Sequence, residues 1–242
     1  MGPAMRIFAY LLVFSCASLF GDKIGLLVMA TGKYTQFIPP LIESAEKYFC
    51  NGHEVTYFVF TDGPIELNEP LAKSSNLVCI HQIRLGWPYD TMLRYHVYLK
   101  SRDILERQDY LFACDADMLF VDYCGDEILG KRVATIHPGY FGKPGPHGET
   151  DSRSKAFIPK KNRKNYYAGG FYGGTAKEML TIAEVNAFYI DQDLTEGIIA
   201  KWHDESHWNR YCVDHPPTVI LSPSYCYPES WDLPCKKKLL KR

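Results

Sequence analysis

Two aspartates two positions apart, Asp115 and Asp117, follow an apolar segment that is typical of a strand. Side chains i and i+2 of a strand point to the same face. Two carboxylates so placed repel each other unless a cation or a base lies between them. Hard cations such as Mn²⁺ and Mg²⁺ take carboxylate and phosphate oxygens. The pair therefore indicates a metal–diphosphate site, and a helix cap or a solvated turn is the alternative that the pattern leaves open.

A second stretch, WHDESHWN at residues 202–209, combines two histidines with two adjacent acids. Histidines at i and i+4 of a helix could bind zinc. The zinc-protease pattern needs a glutamate directly after the first histidine, and Asp204 stands there instead, so we do not expect zinc. Asp204 and Glu205 could instead supply one carboxylate that binds a sugar and one that takes part in its chemistry. The alternative is an ordinary helix N-terminus, where acids are favoured.

A third stretch, YYAGGFYGG at residues 166–174, places four glycines among aromatic residues. Glycine lets a backbone come close to a ligand, and a bulged strand followed by a turn is the structural alternative. The glycines lack the G-x-G-x-x-G spacing of a dinucleotide-binding turn. The Gly-Lys pair after the first predicted strand lacks the rest of a Walker loop. We therefore expect neither of these two phosphate-binding motifs.

Alternating strand and helix patterns must position these residues. Strands are predicted at residues 23–30, 53–61, 77–83, 109–113, 132–137 and 218–221, and helices at 37–49, 90–107, 176–190 and 201–212. Pro39 and Pro40 interrupt the first helix pattern, and residues 138–165 are expected to form a long loop. This order predicts one α/β domain with a mostly parallel sheet, which binds its ligands at the carboxyl ends of the strands.

The composition is that of a globular chain with little net charge. Of 242 residues, 46% are hydrophobic, 14% aromatic and 23% charged, and the formal net charge is −1. Near neutrality argues against a general nucleic-acid binder, which carries a basic excess. The cations are unevenly placed, because residues 236–242 (KKKLLKR) contain no acid. Such a tail is either solvated or used to bind anions.

The first 22 residues are predicted to be a signal peptide or a short signal anchor. An apolar run at residues 7–20 follows Arg6, and it is shorter than the ~20 residues that a spanning helix needs. A buried first strand is the alternative. Export through the secretory pathway or anchoring in a membrane follows from the favoured interpretation. No C-x-x-C pair occurs among the cysteines, so a zinc ribbon or a thioredoxin-type site is not expected.

Taken together, these stretches resemble glycosyltransferase family 6, which includes the blood-group A and B transferases, α-1,3-galactosyltransferase and Forssman synthase. The chain is most similar to the short bacterial-type members. The resemblance covers about residues 24–231, and WHDESH and YYAGGFYGG are its most specific parts. It implies a GT-A type nucleotide-sugar-binding fold, with a mixed, mostly parallel sheet flanked by helices. The catalytic domain would span residues 23–235, followed by the basic tail 236–242.

The resemblance implies that a retaining enzyme moves GalNAc or Gal from a UDP-sugar to the 3-hydroxyl of a galactoside or fucosylated galactoside, in α-1,3 linkage. Glu205 would be the catalytic residue, facing the anomeric carbon. The donor-binding residues would be Ala30, Thr31, Tyr34, Arg94, Asp115, Ala168, Gly169, Gly170 and Asp204. The acceptor-binding residues would be His137, Trp202 and Glu205. The basic tail would cover the donor diphosphate.

Asp115 and Asp117 match the family's Mn²⁺ ligands, with Mg²⁺ as the other candidate. Because both acids are kept, we expect metal dependence. Small residues at positions 168 and 170 leave room for an N-acetyl group, which favours UDP-GalNAc over UDP-Gal. No nucleic-acid partner is expected, and membrane contact is expected only through the N-terminal segment.

Two segments depart from the family pattern, at residues 146–153 and 226–229. Both shape the acceptor site in the family, so the acceptor stays open. Two other functions also remain: a catalytically silent sugar- or nucleotide-binding protein on the same fold, and a UDP-sugar hydrolase. Five intact residues argue against a silent protein: Arg94, Asp115, Asp117, Asp204 and Glu205.

Overall fold

The structure, a computed structural model, describes residues 21–143 and 147–242. The predicted signal segment at residues 1–22 therefore lies almost entirely outside the described residues. The helices of the described part include none that is long and apolar enough to cross a membrane.

A mixed seven-stranded sheet forms the centre of the domain. Its strands are β1 (Lys23–Ala30), β2 (Glu54–Thr61), β3 (Leu77–His81), β4 (Tyr110–Asp115), β6 (Arg132–Ile136), β7 (Tyr167–Thr175) and β8 (Val219–Leu221), while β5 (Met118–Phe120) belongs to a second sheet. The spatial order is β3-β2-β1-β4-β7-β6-β8. Only β7 runs antiparallel to its neighbours. The predicted α/β class with a mostly parallel sheet is confirmed.

Helices cover both faces of this sheet. They are α1 (Ile38–Tyr48), α2 (Glu69–Ser74), α3 (Tyr89–Met92), α4 (Arg94–Lys100), α5 (Arg102–Leu105), α6 (Ala176–Thr195) and α7 (His203–Asp214). Because neighbouring side chains of a strand point to opposite faces, each strand feeds two apolar layers. Leu26 and Val28 pack into one layer with α1, and Leu27 packs into the other with α4 and α6. The sheet is thus buried on both sides, as parallel sheets are.

Two helix predictions need correction. The helix predicted at residues 90–107 is three short helices, α3, α4 and α5, because Leu93 and Ser101 leave the helical region with ψ near 15°. The break at Leu93 starts a new helix at Arg94, whose side chain turns into the buried centre of the molecule. Pro39 and Pro40 do not interrupt α1 but lie in its first turn, where the missing N–H has no partner to lose.

The basic tail belongs to a small second sheet that the sequence patterns did not predict. Strand β10 (Leu239–Lys241) pairs antiparallel with β5 and parallel with β9 (Tyr227–Pro228). Leu239 is fully buried and anchors the strand. Since β5 follows Asp117 directly, the pairing sets Lys241 opposite Met118, beside the two aspartates.

Candidate active site

The sheet brings the predicted site residues to one edge. Strands β1 and β4 are parallel and in register, with Met29 opposite Asp115. Strand β7 is antiparallel to β4 and pairs Phe171 with Cys114, so its first residues lie at the end of β4. An open cavity of about 320 Å³ lies there, within the size range of ligand sites. Its lining contains Arg94, Asp115, His137, Ala168, Gly169, Gly170, Trp202, Asp204 and Glu205, all of them predicted site residues.

Arg94 connects the elements that form this cavity. Its side chain is almost fully buried. Nη2 donates to Asp115 Oδ1 at 3.1 Å, and Nε lies 3.0 Å from Asp204 Oδ2. Nη1 donates to the Gly169 carbonyl at 3.2 Å. One guanidinium therefore holds together β4, β7 and α7, and it supplies a cationic partner to both Asp115 and Asp204.

Lys241 supplies the second cation. Its Nζ lies 2.8 Å from Asp115 Oδ2, so both oxygens of Asp115 have a cationic partner. Burial alone would raise the pKa of Asp115, but Lys241 and Arg94 outweigh it and lower the pKa to about 2. The next residue, Arg242, donates its backbone N–H to the Asp117 carbonyl at 3.0 Å. The tail is thus an ordered part of the site.

The two aspartates fit a divalent metal only together with a ligand. Carboxylate oxygens are what Mn²⁺ and Mg²⁺ prefer. Within the described residues, however, no group of three or more His, Cys, Asp and Glu side chains is arranged to hold an ion. A metal at Asp115 and Asp117 therefore needs further oxygens, such as those of a diphosphate. It would also have to share Asp115 Oδ2 with Lys241 or displace it.

The start of α7 aims two carboxylates in different directions. His203 has a φ of 49°, a left-handed conformation that is rare for a residue with a side chain. Beyond this turn Asp204 points to Arg94, and Glu205 points to β7, where Gly169 N–H donates to Oε2 at 2.7 Å. A Cβ at position 169 would lie 3.2 Å from the Glu205 Cβ, so the close approach depends on glycine.

Asn209 locks α7 against β7 one turn later. Its Nδ2 donates to the carbonyls of Glu205 and Tyr167, both at 2.8 Å. Its Oδ1 accepts the Tyr167 N–H at 2.7 Å. Glu205 is therefore fixed both through its backbone and through its carboxylate.

The carboxylates of the cavity differ strongly in acidity. Burial raises the pKa of Glu205 to about 7, and the Gly169 N–H lowers it only in part. Burial also raises the pKa of Asp204 to about 6, against the effect of Arg94. Carboxylates with separated pKa values are typical of sites that perform acid–base or nucleophilic chemistry.

Four predicted site residues lie at the same edge but outside the cavity lining. Ala30 is buried at the end of β1, and Thr31 follows it. Tyr34 lies on the short 3₁₀ helix Gly32–Phe37 and is 43% exposed. Asp117 follows β4. The two histidines of the WHDESHWN stretch have different surroundings: His207 is buried 3.5 Å from Asp193, while His203 lines the cavity.

The motifs did not single out several residues that line the cavity. These are Thr91, Pro138, Cys226, Pro228, Trp231 and Lys241. His203 also lines the cavity, and the WHDESHWN stretch marked it only as one of two histidines considered for zinc. The charge of the tail gave a signal for Lys241, and the resemblance marked residues 226–229 as a departure. No local pattern could have identified Trp231 in a single sequence.

Comparison with known protein families shows which family the chain belongs to. Glycosyltransferase family 6 matches residues 16–242. The chain belongs to this family. The described architecture is the α/β, GT-A type fold that membership implies.

Family members from vertebrates are similar along most of the chain. The globoside alpha-1,3-N-acetylgalactosaminyltransferase 1 of Canis lupus familiaris is 34% identical over 224 residues, which cover 90% of this chain and 65% of the relative. The histo-blood group ABO system transferase 1 of Rattus norvegicus is 37% identical over 84% of this chain and 60% of the relative. The alpha-1,3-galactosyltransferase 2 of Homo sapiens is 27% identical over 84% and 62%. The chain thus spans somewhat less than two thirds of the length of these relatives.

Proposed function

We propose that this protein is a retaining glycosyltransferase that moves GalNAc, or Gal, from a UDP-sugar to the 3-hydroxyl of a galactoside or fucosylated galactoside in α-1,3 linkage. The observation that carries the proposal is the Glu205 carboxylate, fixed by the Gly169 N–H beside the Arg94–Asp204–Asp115 network. Related proteins bear the names of α-1,3-N-acetylgalactosaminyl- and galactosyltransferases.

The leaving diphosphate would be stabilised at the Asp115 end of the cavity. Breaking the bond between C1 of the sugar and UDP leaves negative charge on the diphosphate and an oxocarbenium-like sugar. Lys241, at the end of the tail, is the cation placed to meet that negative charge. Asp115 and Asp117 would hold Mn²⁺ or Mg²⁺, which when bound neutralises charge on the diphosphate.

Glu205 would face the positive charge. Its carboxylate lies at the start of β7, on the cavity wall built by Ala168, Gly169 and Gly170. A carboxylate there stabilises the cationic sugar. Asp204, held by Arg94, would accept a hydrogen bond from a donor-sugar hydroxyl. The bond between C1 and UDP breaks and a bond forms between C1 and the acceptor 3-oxygen, while the proton of the acceptor hydroxyl leaves with the departing diphosphate.

His137 would bind the acceptor as a neutral imidazole. Burial lowers its pKa to about 4. Its Nδ1 accepts the N–H of Gly139 at 3.0 Å, so the ring proton resides on Nε2. The ring can therefore donate one hydrogen bond to an acceptor oxygen. Trp202, 45% exposed at the rim, offers a flat apolar face to a sugar ring.

The preference for GalNAc rests on the two small residues Ala168 and Gly170 in the cavity wall. Larger side chains at these positions would narrow the cavity in which an N-acetyl group would lie. Gly170 itself is closely packed, because a Cβ there would lie 3.2 Å from both Asp115 Oδ2 and Cys226 Sγ.

For residues 1–22 we propose a signal or anchor that directs the enzyme into the secretory pathway.

One assay separates the candidate functions. UDP-GalNAc and UDP-Gal are each offered with a panel of galactosides and fucosylated galactosides, with Mn²⁺, with Mg²⁺ and after complete chelation. Sugar release that one acceptor accelerates supports the transferase. Release that no acceptor changes indicates a hydrolase, and binding without release indicates a silent protein. Full activity after chelation would refute only the expected metal dependence and not the transferase function.

A further inference from the structure

Glu149 is a buried carboxylate that the proposed reaction leaves unused. It lies in the loop between β6 and β7 and is 3% exposed. Its side chain accepts three backbone N–H groups: Thr150 and Asp151 donate to Oε1 at 2.7 and 2.9 Å, and Lys201 donates to Oε2 at 2.5 Å. The first two bonds are local to the loop, whereas the third joins it to a residue 52 positions away.

The third bond reaches the turn that precedes α7. Lys201 is followed by Trp202, which lines the cavity and would pack against the acceptor. The Ser206 hydroxyl accepts the Trp202 N–H at 3.0 Å. No helical hydrogen bond is available to either N–H group, because both residues precede the first turn of α7. Glu149 and Ser206 therefore hold two successive residues of this turn with side-chain acceptors.

The loop that carries Glu149 is itself fixed against α6. Asp193 accepts the Ser154 hydroxyl at 2.5 Å through Oδ2 and the Lys155 N–H at 2.7 Å through Oδ1. The Ile158 N–H donates to the Glu149 carbonyl at 3.2 Å. A displacement of Glu149 would break these bonds, so its carboxylate is a firm anchor for the turn before α7.

Both oxygens of the carboxylate are needed to hold the loop and the turn together. A glutamine side chain has one acceptor oxygen and one NH₂ group. In Glu149→Gln, either Lys201 or the pair Thr150 and Asp151 would therefore meet a donor in place of an acceptor. A buried N–H without an acceptor is unfavourable, so the turn or the loop should shift.

We propose that Glu149 is a positioning residue for acceptor binding, which holds the backbone at Lys201 and thereby sets the position of Trp202 at the cavity rim. This inference rests on the proposed function, since it requires a sugar acceptor that packs against Trp202.

The test is Glu149→Gln, which keeps the size of the side chain. Displacing a positioning group can cost up to about 100-fold in rate. Because only the cavity rim is affected, we expect KM for the acceptor to rise about 5- to 20-fold. KM for the UDP-sugar should stay within about twofold, because Asp204 and Glu205 keep separate partners, Arg94 and the Gly169 N–H. Initial rates are measured well below the melting temperature of the variant, so that only folded enzyme is compared.

Glu149→Asp is a second, milder variant. Its carboxylate can still accept N–H groups of the loop, because aspartate bonds its own backbone two residues on. The side chain is one methylene shorter, which draws the carboxylate away from Lys201. The same rise in KM for the acceptor, with KM for the UDP-sugar unchanged, is expected.

Asp109→Asn is the matched control, because Asp109 also accepts a backbone N–H from a distant segment, that of Lys23 at 2.8 Å. Asp109 precedes β4, at the end of that strand opposite to the cavity, so both KM values should be unchanged. In a Trp202→Ala background, Glu149→Gln should raise KM for the acceptor little further, since both substitutions remove the same contact.

Three results would overturn the inference in a wild-type enzyme that transfers sugar: an unchanged KM for the acceptor, an equal rise in KM for donor and acceptor, or a full additional rise in the Trp202→Ala background. A lower melting temperature with unchanged kinetics would make Glu149 merely structural. Absence of acceptor-dependent transfer in the wild-type enzyme would instead refute the proposed function.

Discussion

Glu205→Gln tests whether the folded protein disfavours the ionised form of Glu205, which the proposed reaction requires. Burial raises the pKa of Glu205 from 4.5 to about 7, and one pKa unit corresponds to about 1.4 kcal/mol. The whole shift would destabilise the folded wild-type protein by about 3 kcal/mol at alkaline pH. Part of the side chain faces the open cavity, where solvent screens the charge. We therefore expect Glu205→Gln to raise the free energy of unfolding by about 1–3 kcal/mol at alkaline pH. Glutamine has the same shape and still accepts the Gly169 N–H.

The pH dependence of this gain has a defined sign. The folded-state pKa of Glu205 lies above the unfolded one. The wild-type protein therefore loses stability as the pH rises from about 4.5 through about 7. Glutamine does not titrate. The variant should match the wild type near pH 4.5 and exceed it most above pH 7, by about 2–4 °C in melting temperature per kcal/mol.

Thermal unfolding at pH 5 and pH 8, with turnover at pH 8, checks this prediction. Transfer should fall by about 100-fold or more, as when other charge-stabilising groups are removed from active sites. Glu106→Gln, at an exposed position, is the control and should change neither quantity. A variant that is less stable at pH 8, a gain independent of pH, or wild-type turnover would each refute the reasoning.

Two further perturbations test residues that line the cavity, and a third tests the buried ion pair Arg132–Glu178 outside it. Lys241→Met removes a cation from Asp115. Initial rates should show that KM for the UDP-sugar rises about 10-fold while KM for the acceptor is unchanged. An unaltered KM for the UDP-sugar would mean that the tail is only structural. Gly170→Ala brings a Cβ within 3.2 Å of Asp115 Oδ2 and should slow transfer from both donors, and from UDP-GalNAc more than from UDP-Gal when the two compete; an equal loss for both would contradict the proposed GalNAc preference. Arg132→Met should cost up to about 3–5 kcal/mol in urea unfolding, because the buried Glu178 then keeps, within the described residues, only the Tyr211 hydroxyl and the more distant Lys131 as partners, and the added Glu178→Met should restore much of that loss.

The sequence predicted six of the seven strands of the central sheet, because apolar runs and turns are local signals. Strand β7, in the middle of the sheet, was predicted only as the structural alternative for the glycine-rich stretch at residues 166–174. The strands β1, β2, β4 and β6 begin and end close to the predicted positions. The three-residue strand β10 could not be found this way, since Leu239 and Leu240 stand between lysines and carry no period. Its pairing with β5 is a tertiary interaction, and such contacts routinely override local propensity.

The site was predictable only where motifs are compact. The pairs Asp115–Asp117 and Asp204–Glu205 stand out by spacing, whereas Arg94 has no local signal and emerged through the family resemblance. The left-handed turn at His203 could not be foreseen, because such a conformation is unfavourable for a residue with a side chain.

The unequal acidity of the carboxylates explains how this cavity would favour a transition state over a bound substrate. Asp115 has two cationic partners, Asp204 shares one of them, and Glu205 has none in direct contact within the described residues. The Glu205 charge is therefore poorly compensated in the free protein, and its pKa is raised. In the proposed reaction, positive charge develops on C1 as UDP departs, and Glu205 then gains the partner that it lacked. An interaction that strengthens only at that moment lowers the barrier without tightening ground-state binding. A permanent cation next to Glu205 would stabilise the protein and remove this advantage.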